Sequence, residues 1–135
     1  VLYPDGERRQ RRLLPTLSRP FDTLGAAACV LTLWEDTAAS VERLADADLV
    51  YVGGGSTLNL LALWRVHGVD EVLTELAGRE GTVLAGISAG ANCWYEGSST
   101  DSFGPELRPL PDGLGLLPGS FCPHFDGQPG RRESF

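Results

Sequence analysis

The sequence predicts an α/β fold built on a doubly wound parallel sheet with helices on both faces, and three observations carry that expectation. Short apolar runs rich in β-branched residues recur, as at residues 48–52 and 82–86. Between them lie stretches whose apolar residues fall at helical spacing. Two glycine-rich turns, Gly53-Gly54-Gly55 and Gly86-Ile87-Ser88-Ala89-Gly90, follow those runs directly. In doubly wound sheets the carboxyl ends of the strands are where ligands bind, so the two turns are expected to be neighbours.

Taken in order, residues 28–34 (Ala-Cys-Val-Leu-Thr-Leu-Trp) read as a buried strand. Thr37 is placed to cap a helix running to about Ala47, with Val41 and Leu44 on one face and Glu42 and Arg43 on the other. Residues 48–52 form the next strand, and Ser56 or Thr57 starts an apolar helix through Leu58, Leu61 and Leu63. A second helix is predicted over 69–77, then a strand over 82–86, with helix resuming at Ala89. Residues 97–113, with Pro105, Pro109 and Pro111, suit an irregular excursion or a hairpin. Residues 114–125 are strand-like but interrupted by Pro118-Gly119.

At 135 residues the chain has the length of one domain, read here as residues 1–135. It begins without Met and stops shortly after Arg131-Arg132 with no terminal turn signal, so the domain is expected to be trimmed at both ends. Exposed sheet edges would then favour association into a homo-oligomer. A net charge of −7 argues against nucleic acid as a partner, because phosphate contacts need a basic face. The local cluster Arg8, Arg9, Arg11 and Arg12 reads as a solvated face. With no apolar run long enough to span a bilayer and no signal-peptide pattern, a soluble cytoplasmic protein without a membrane partner is expected. Cys29, Cys93 and Cys122 are odd in number and widely spaced, which favours buried free thiols over disulfides or a zinc site.

The chemistry concentrates in the second glycine turn. A serine between a strand and a helix, flanked by small residues, has the form of a nucleophile elbow: the sharp turn strains the serine and exposes its hydroxyl near the positive end of the following helix. Ser88 is therefore the candidate nucleophile. The backbone N–H groups of Gly54 and Gly55 are candidates for one side of an oxyanion hole, and that of Ala89 for the other. A phosphate loop is excluded by the absence of both lysine and a Gly-x-Gly-x-x-Gly pattern. Of the two histidines, His67 precedes Gly68 at an expected helix end, whereas His124 follows Pro123 in an aromatic and acidic stretch and is the candidate base. For a third member, Asp101 lies between serine and histidine in the chain, with Glu96 and Asp126 as rivals. No metal or organic cofactor is required by such a set.

Three stretches together, Tyr51-Val52-Gly53-Gly54-Gly55-Ser56-Thr57, Gly86-Ile87-Ser88-Ala89-Gly90-Ala91 and Cys122-Pro123-His124-Phe125-Asp126, resemble the peptidase E (aspartyl dipeptidase) and cyanophycinase family of serine peptidases. The resemblance covers about residues 28–135 and implies a flavodoxin-like fold similar to class I glutamine amidotransferases. It implies Ser88 as nucleophile, His124 as general base and Asp101 at the position of the triad acid. Members remove N-terminal aspartate from short peptides or cleave a β-linked aspartyl-arginine polymer, so a small peptide is the expected substrate. Ser56 stands where the family usually has Asn. Arg131 and Arg132, a short loop beyond His124, are placed to select an acidic N-terminal residue through a guanidinium. Two other readings share these features: an α/β-hydrolase-type esterase, and a non-catalytic ligand-binding member of the same fold.

Overall fold

The computed structural model describes Phe21 and residues 23–135; the Arg8–Arg12 cluster lies outside the described residues. Among the described residues the elements run α1 (Thr37–Ala45), β1 (Leu49–Val52), α2 (Thr57–His67), α3 (Val69–Gly78), β2 (Val83–Gly86), α4 (Ala89–Asn92), β3 (Tyr95–Thr100), β4 (Arg108–Leu110) and β5 (Leu117–Phe121). The fold is thus mixed α/β, with parallel pairing in both sheets of the described residues.

Local chemistry explains the helix boundaries. Asp36, rather than Thr37, caps α1 by accepting from the Ala39 N–H, and the Thr37 hydroxyl donates instead to the Leu33 carbonyl. Ser56 caps α2 in the same way, accepting from the Asn59 N–H. Each such cap is worth about 1 kcal/mol. Gly68, at φ 69°, ends α2 and begins α3 at once, a left-handed position that costs glycine nothing.

β1 and β2 pair in parallel with Leu49 opposite Val83 and Val52 opposite Gly86, and α2 and α3 make the crossover between them. One face of this pair is covered, with Val52 buried. Leu49, Tyr51 and Val83, on the other face, are exposed among the described residues, where helices on both faces had been expected. The second sheet has the order β4-β3-β5, with β3 antiparallel to β4 and parallel to β5. The excursion over 97–113 is therefore a hairpin. β5 accommodates Pro118-Gly119 because the ladder to β3 shifts register between Tyr95 and Gly97.

Residues 28–34 form no strand. Leu33 is buried in the core, but among the described residues the run joins no strand ladder, and Trp34 is 43% exposed. The core joins the crossover helices to the end of α4: Leu60, Leu61 and Trp64 from α2, Val69, Leu73 and Leu76 from α3, with Cys93 and Trp94. The Trp64 and Trp94 rings lie 5.9 Å apart. Burying each large apolar side chain contributes about 1.5–3 kcal/mol, so this cluster anchors the end of α4. The three cysteines are free; Cys93 is buried and Cys122 half-buried, but Cys29 is exposed, contrary to expectation. No helix among the described residues is long and apolar enough to cross a membrane.

Candidate active site

Ser88 is the second of the two residues between β2 and α4, directly before the helix, at φ 55° and ψ −116°. A non-glycine residue adopts positive φ only where its surroundings impose it. Here the flanking glycines do so. A Cβ on Gly86 would sit 2.1 Å from the Gly90 carbonyl oxygen, and a Cβ on Gly90 would sit 2.2 Å from that of Val52. The turn is thus pressed both on itself and on the end of β1, where the Ile87 N–H also donates to the Val52 carbonyl at 3.0 Å.

The same closeness brings the first glycine turn to the serine. A Cβ on Gly54 would lie 3.4 Å from Ser88 Cβ and 3.8 Å from its Oγ. Gly55, at φ 148°, holds a backbone conformation that favours glycine. On the other side of Ser88, the N–H groups of Gly90, Ala91 and Asn92 bond to the carbonyls of Ile87 and Ser88. Ala89 supplies the first N–H of α4, a position that helices leave without an internal partner. Gly54 and Ala89 therefore flank the serine.

His124 meets it from the second sheet. β5 ends at Phe121, the buried Pro123 follows, and the histidine, at φ 58°, turns its ring so that Nε2 lies 2.9 Å from Ser88 Oγ. The N–H groups of Gly127 and Gln128 both donate to the His124 carbonyl at 3.0 Å, closing the turn behind it. His67 ends α2 and makes no hydrogen bond to Ser88.

The three carboxylates considered for His124 are engaged elsewhere. Asp101 Oδ2 accepts from Arg131 Nη2 at 3.3 Å, Glu96 Oε2 accepts from the Gly119 N–H at 2.7 Å, and Asp126 pairs with Arg132. Among the described residues none of them bonds to the imidazole. The expectation that Arg131 faces a substrate is also not met. Its side chain is buried, and it donates to Gln128 Oε1, the Ser99 carbonyl and Asp101. Arg132 is exposed, pairs with Asp126 and lies over the Phe125 ring, its Cζ 5.3 Å from the centroid.

A buried polar network behind the site was not foreseen. Asn92 Nδ2 donates to Thr57 Oγ1, the Thr57 N–H donates to Ser102 Oγ at 2.9 Å, and the hydroxyls of Ser102 and Thr100 bond at 2.7 Å. It ties the start of α2, just after the glycine turn, to α4 and to the end of β3. Asn92 lies four residues after Ser88, one helical turn on, and that spacing was the available signal. Burial pushes the Cys93 thiol well above the usual range, partly offset by its backbone hydrogen bond. Among the described residues no group of three or more His, Cys, Asp and Glu side chains is placed to hold a metal ion.

A hydroxyl bonded to an imidazole nitrogen can give up its proton as it attacks a carbonyl carbon, and adjacent N–H groups can stabilise the oxyanion that results. Comparison with known proteins places the chain among peptidases. The model of peptidase family S51 matches residues 7–135. The uncharacterized peptidase YgaJ of Bacillus subtilis is 47% identical over 116 residues, covering 85% of this chain and 49% of that protein. Peptidase E of Streptomyces coelicolor is 41% identical over 90 residues, covering 65% of this chain and 37% of the relative. Peptidase E of Escherichia coli strain 536 is 34% identical over 104 residues, covering 76% and 44% respectively. The chain spans about half the length, or less, of these curated relatives.

Proposed function

The chain belongs to peptidase family S51, and from that premise we propose that it carries the nucleophilic half-site of a serine-type peptidase acting on short peptides. The observation that carries this reading is the 2.9 Å contact between Ser88 Oγ and His124 Nε2 at a strained strand-to-helix turn. Ser88 attacks the scissile carbonyl, and His124 takes the hydroxyl proton and returns it to the leaving amine. The N–H groups of Gly54, Gly55 and Ala89 hold the oxyanion. Water then attacks the acyl-enzyme ester with His124 again as base, releasing the acid and restoring the serine.

The preferred substrate is a dipeptide with N-terminal aspartate, and Arg132 is the residue that selects it. Support comes from its position beside a shallow depression of about 310 Å³ lined by Phe125, Gln128, Arg132 and Glu133, just beyond His124. Its pairing with Asp126 is exposed on both sides. Such pairs contribute only about 0–1 kcal/mol, so a substrate carboxylate can replace Asp126 at little cost. A doubly wound arrangement similar to class I glutamine amidotransferases belongs to the same reading, supported by the parallel β1–β2 unit with the site at its carboxyl end. A cytoplasmic setting is supported by three unpaired cysteines.

A panel of dipeptides tests the reading. Release of the N-terminal residue by wild type and its loss in Ser88→Ala are expected. Turnover of simple esters with no peptide cleaved would favour an esterase, and equal turnover by Ser88→Ala would remove the serine from the reaction.

A further inference from the structure

We propose that Arg131 is a positioning residue for His124, and that Asp101 acts through Arg131 rather than on the imidazole. The inference rests on the reading of Ser88 and His124 as a hydrolytic pair. Arg131 is the one charged residue among the buried residues described, 2% exposed. A guanidinium is kept in such a place only where its donors are satisfied. Its three side-chain bonds divide between two parts of the fold. Nε donates to Gln128 Oε1 at 3.1 Å, while Nη1 donates to the Ser99 carbonyl at 3.0 Å and Nη2 to Asp101 Oδ2 at 3.3 Å.

Gln128 belongs to the turn that begins at His124, and its N–H donates to the His124 carbonyl. Ser99 lies on β3, and Asp101 just beyond it. The ladder between β3 and β5 ends at the pair Ser98 and Phe121, three residues before His124. Beyond that point Arg131 takes the place of the missing ladder, fastening the histidine turn to the neighbouring strand. The Arg131 carbonyl adds to the clasp, accepting from Ser134 Oγ at 3.0 Å and from the Cys122 thiol at 3.7 Å.

His124 needs such a clasp because φ 58° is a conformation it would leave if free. Relaxation would carry Nε2 away from Ser88. Alternation along residues 99–102 sharpens the assignment: Ser99 and Asp101 hold Arg131, while Thr100 and Ser102 bond to each other and Ser102 holds Thr57. One tract thus supports the histidine on one side and the glycine turn on the other.

The test is the rate at which a fluorophosphonate labels Ser88 in the full chain, followed against pH. Wild type is expected to label faster as pH rises, because a general base must be neutral to accept the hydroxyl proton. A misplacement of about 1 Å costs about 10²-fold, which is the loss expected in Arg131→Met. The pH-dependent limb should flatten as well, since the ring no longer meets the hydroxyl. Simple destabilisation would scale the whole profile and leave its shape. Asp101→Ala, altered at a half-exposed side chain, should show a smaller loss of the same kind, and the double variant should be no slower than Arg131→Met alone. Asp101→Asn keeps an oxygen for Nη2 and should lose no more than about tenfold, whereas a carboxylate acting directly on the imidazole would cost about 10⁴-fold on the same change.

Wild-type rate and profile in folded Arg131→Met would overturn the proposal. Should Arg131→Met fail to fold, a folded Asp101→Ala with wild-type kinetics overturns it equally. A 10⁴-fold loss in Asp101→Asn would make Asp101 a direct partner of His124 and also overturn it. Absence of label in wild type would sink the hydrolase reading and this inference with it, a result distinct from the other three.

Discussion

Gly90 and Val52 are in backbone contact: a Cβ on the glycine would lie 2.2 Å from the carbonyl oxygen of the valine and 2.7 Å from that of Gly53. The helix that follows the nucleophile is therefore seated on the end of the neighbouring strand, and only a residue without a side chain fits. Gly90→Ala must push α4 away from β1 and carry Ser88 with it. A cost of about 1–3 kcal/mol or more is expected from such overpacking. The check is the denaturant midpoint together with the Ser88 labelling rate; both should fall, and a wild-type midpoint would show that the contact yields freely.

The two histidines should behave differently. His124→Gln is expected to cut hydrolysis by about 10³-fold or more and to abolish the rise of activity with pH that a general base produces. His67→Gln, at the end of α2, should leave the pH profile in place and change stability by no more than about 0.5 kcal/mol. Loss of the pH-dependent limb in the His67 variant would transfer the role of base to that residue.

Cys93 gives a separate pH signature. It is fully buried, its thiol donates to the Gly90 carbonyl at 3.1 Å, and burial pushes its ionisation upward. The folded state therefore keeps a proton that the unfolded chain releases near the ordinary thiol value of 9.0. The sign follows: this contribution to stability is complete below about pH 9 and is lost as pH rises past it. Tm should fall more steeply above that pH in wild type than in Cys93→Ala. In native protein iodoacetamide should modify the exposed Cys29 and spare Cys93.

If Arg132 selects acidic substrates, Arg132→Ala should reduce the preference for Asp-Leu over Asn-Leu in kcat/KM by about tenfold, or ~1.4 kcal/mol, with little change in the rate for Asn-Leu. An unchanged ratio would exclude Arg132 as the selector.

Features set by a few adjacent residues were legible in the sequence. The strand ending at Val52, the helix start at Ser56, the Gly68 break and the tight turn at Ser88 each depend on local sterics or a single hydrogen bond. The match of Ser88 with His124 was also legible, since only two histidines exist and one closes a helix. Residues 28–34 were not legible, because an apolar run specifies burial but not a pairing partner; Leu33 found the core without a ladder. The pairing of Asp101 with Arg131 was not legible for a related reason. Along the chain Asp101 reads as a candidate triad acid and Arg131 as a candidate substrate contact, and only the junction of β3, β5 and the histidine turn makes them partners.

The central claim is that the Ser88 hydroxyl is a nucleophile activated by His124. Reaction of the wild-type chain with a fluorophosphonate, followed by digestion and mass mapping, tests it most directly. The predicted result is one adduct, on Ser88, that disappears in Ser88→Ala and forms at least about 10²-fold more slowly in His124→Gln. An adduct on another residue, or equal labelling of Ser88 with His124 removed, would contradict the account.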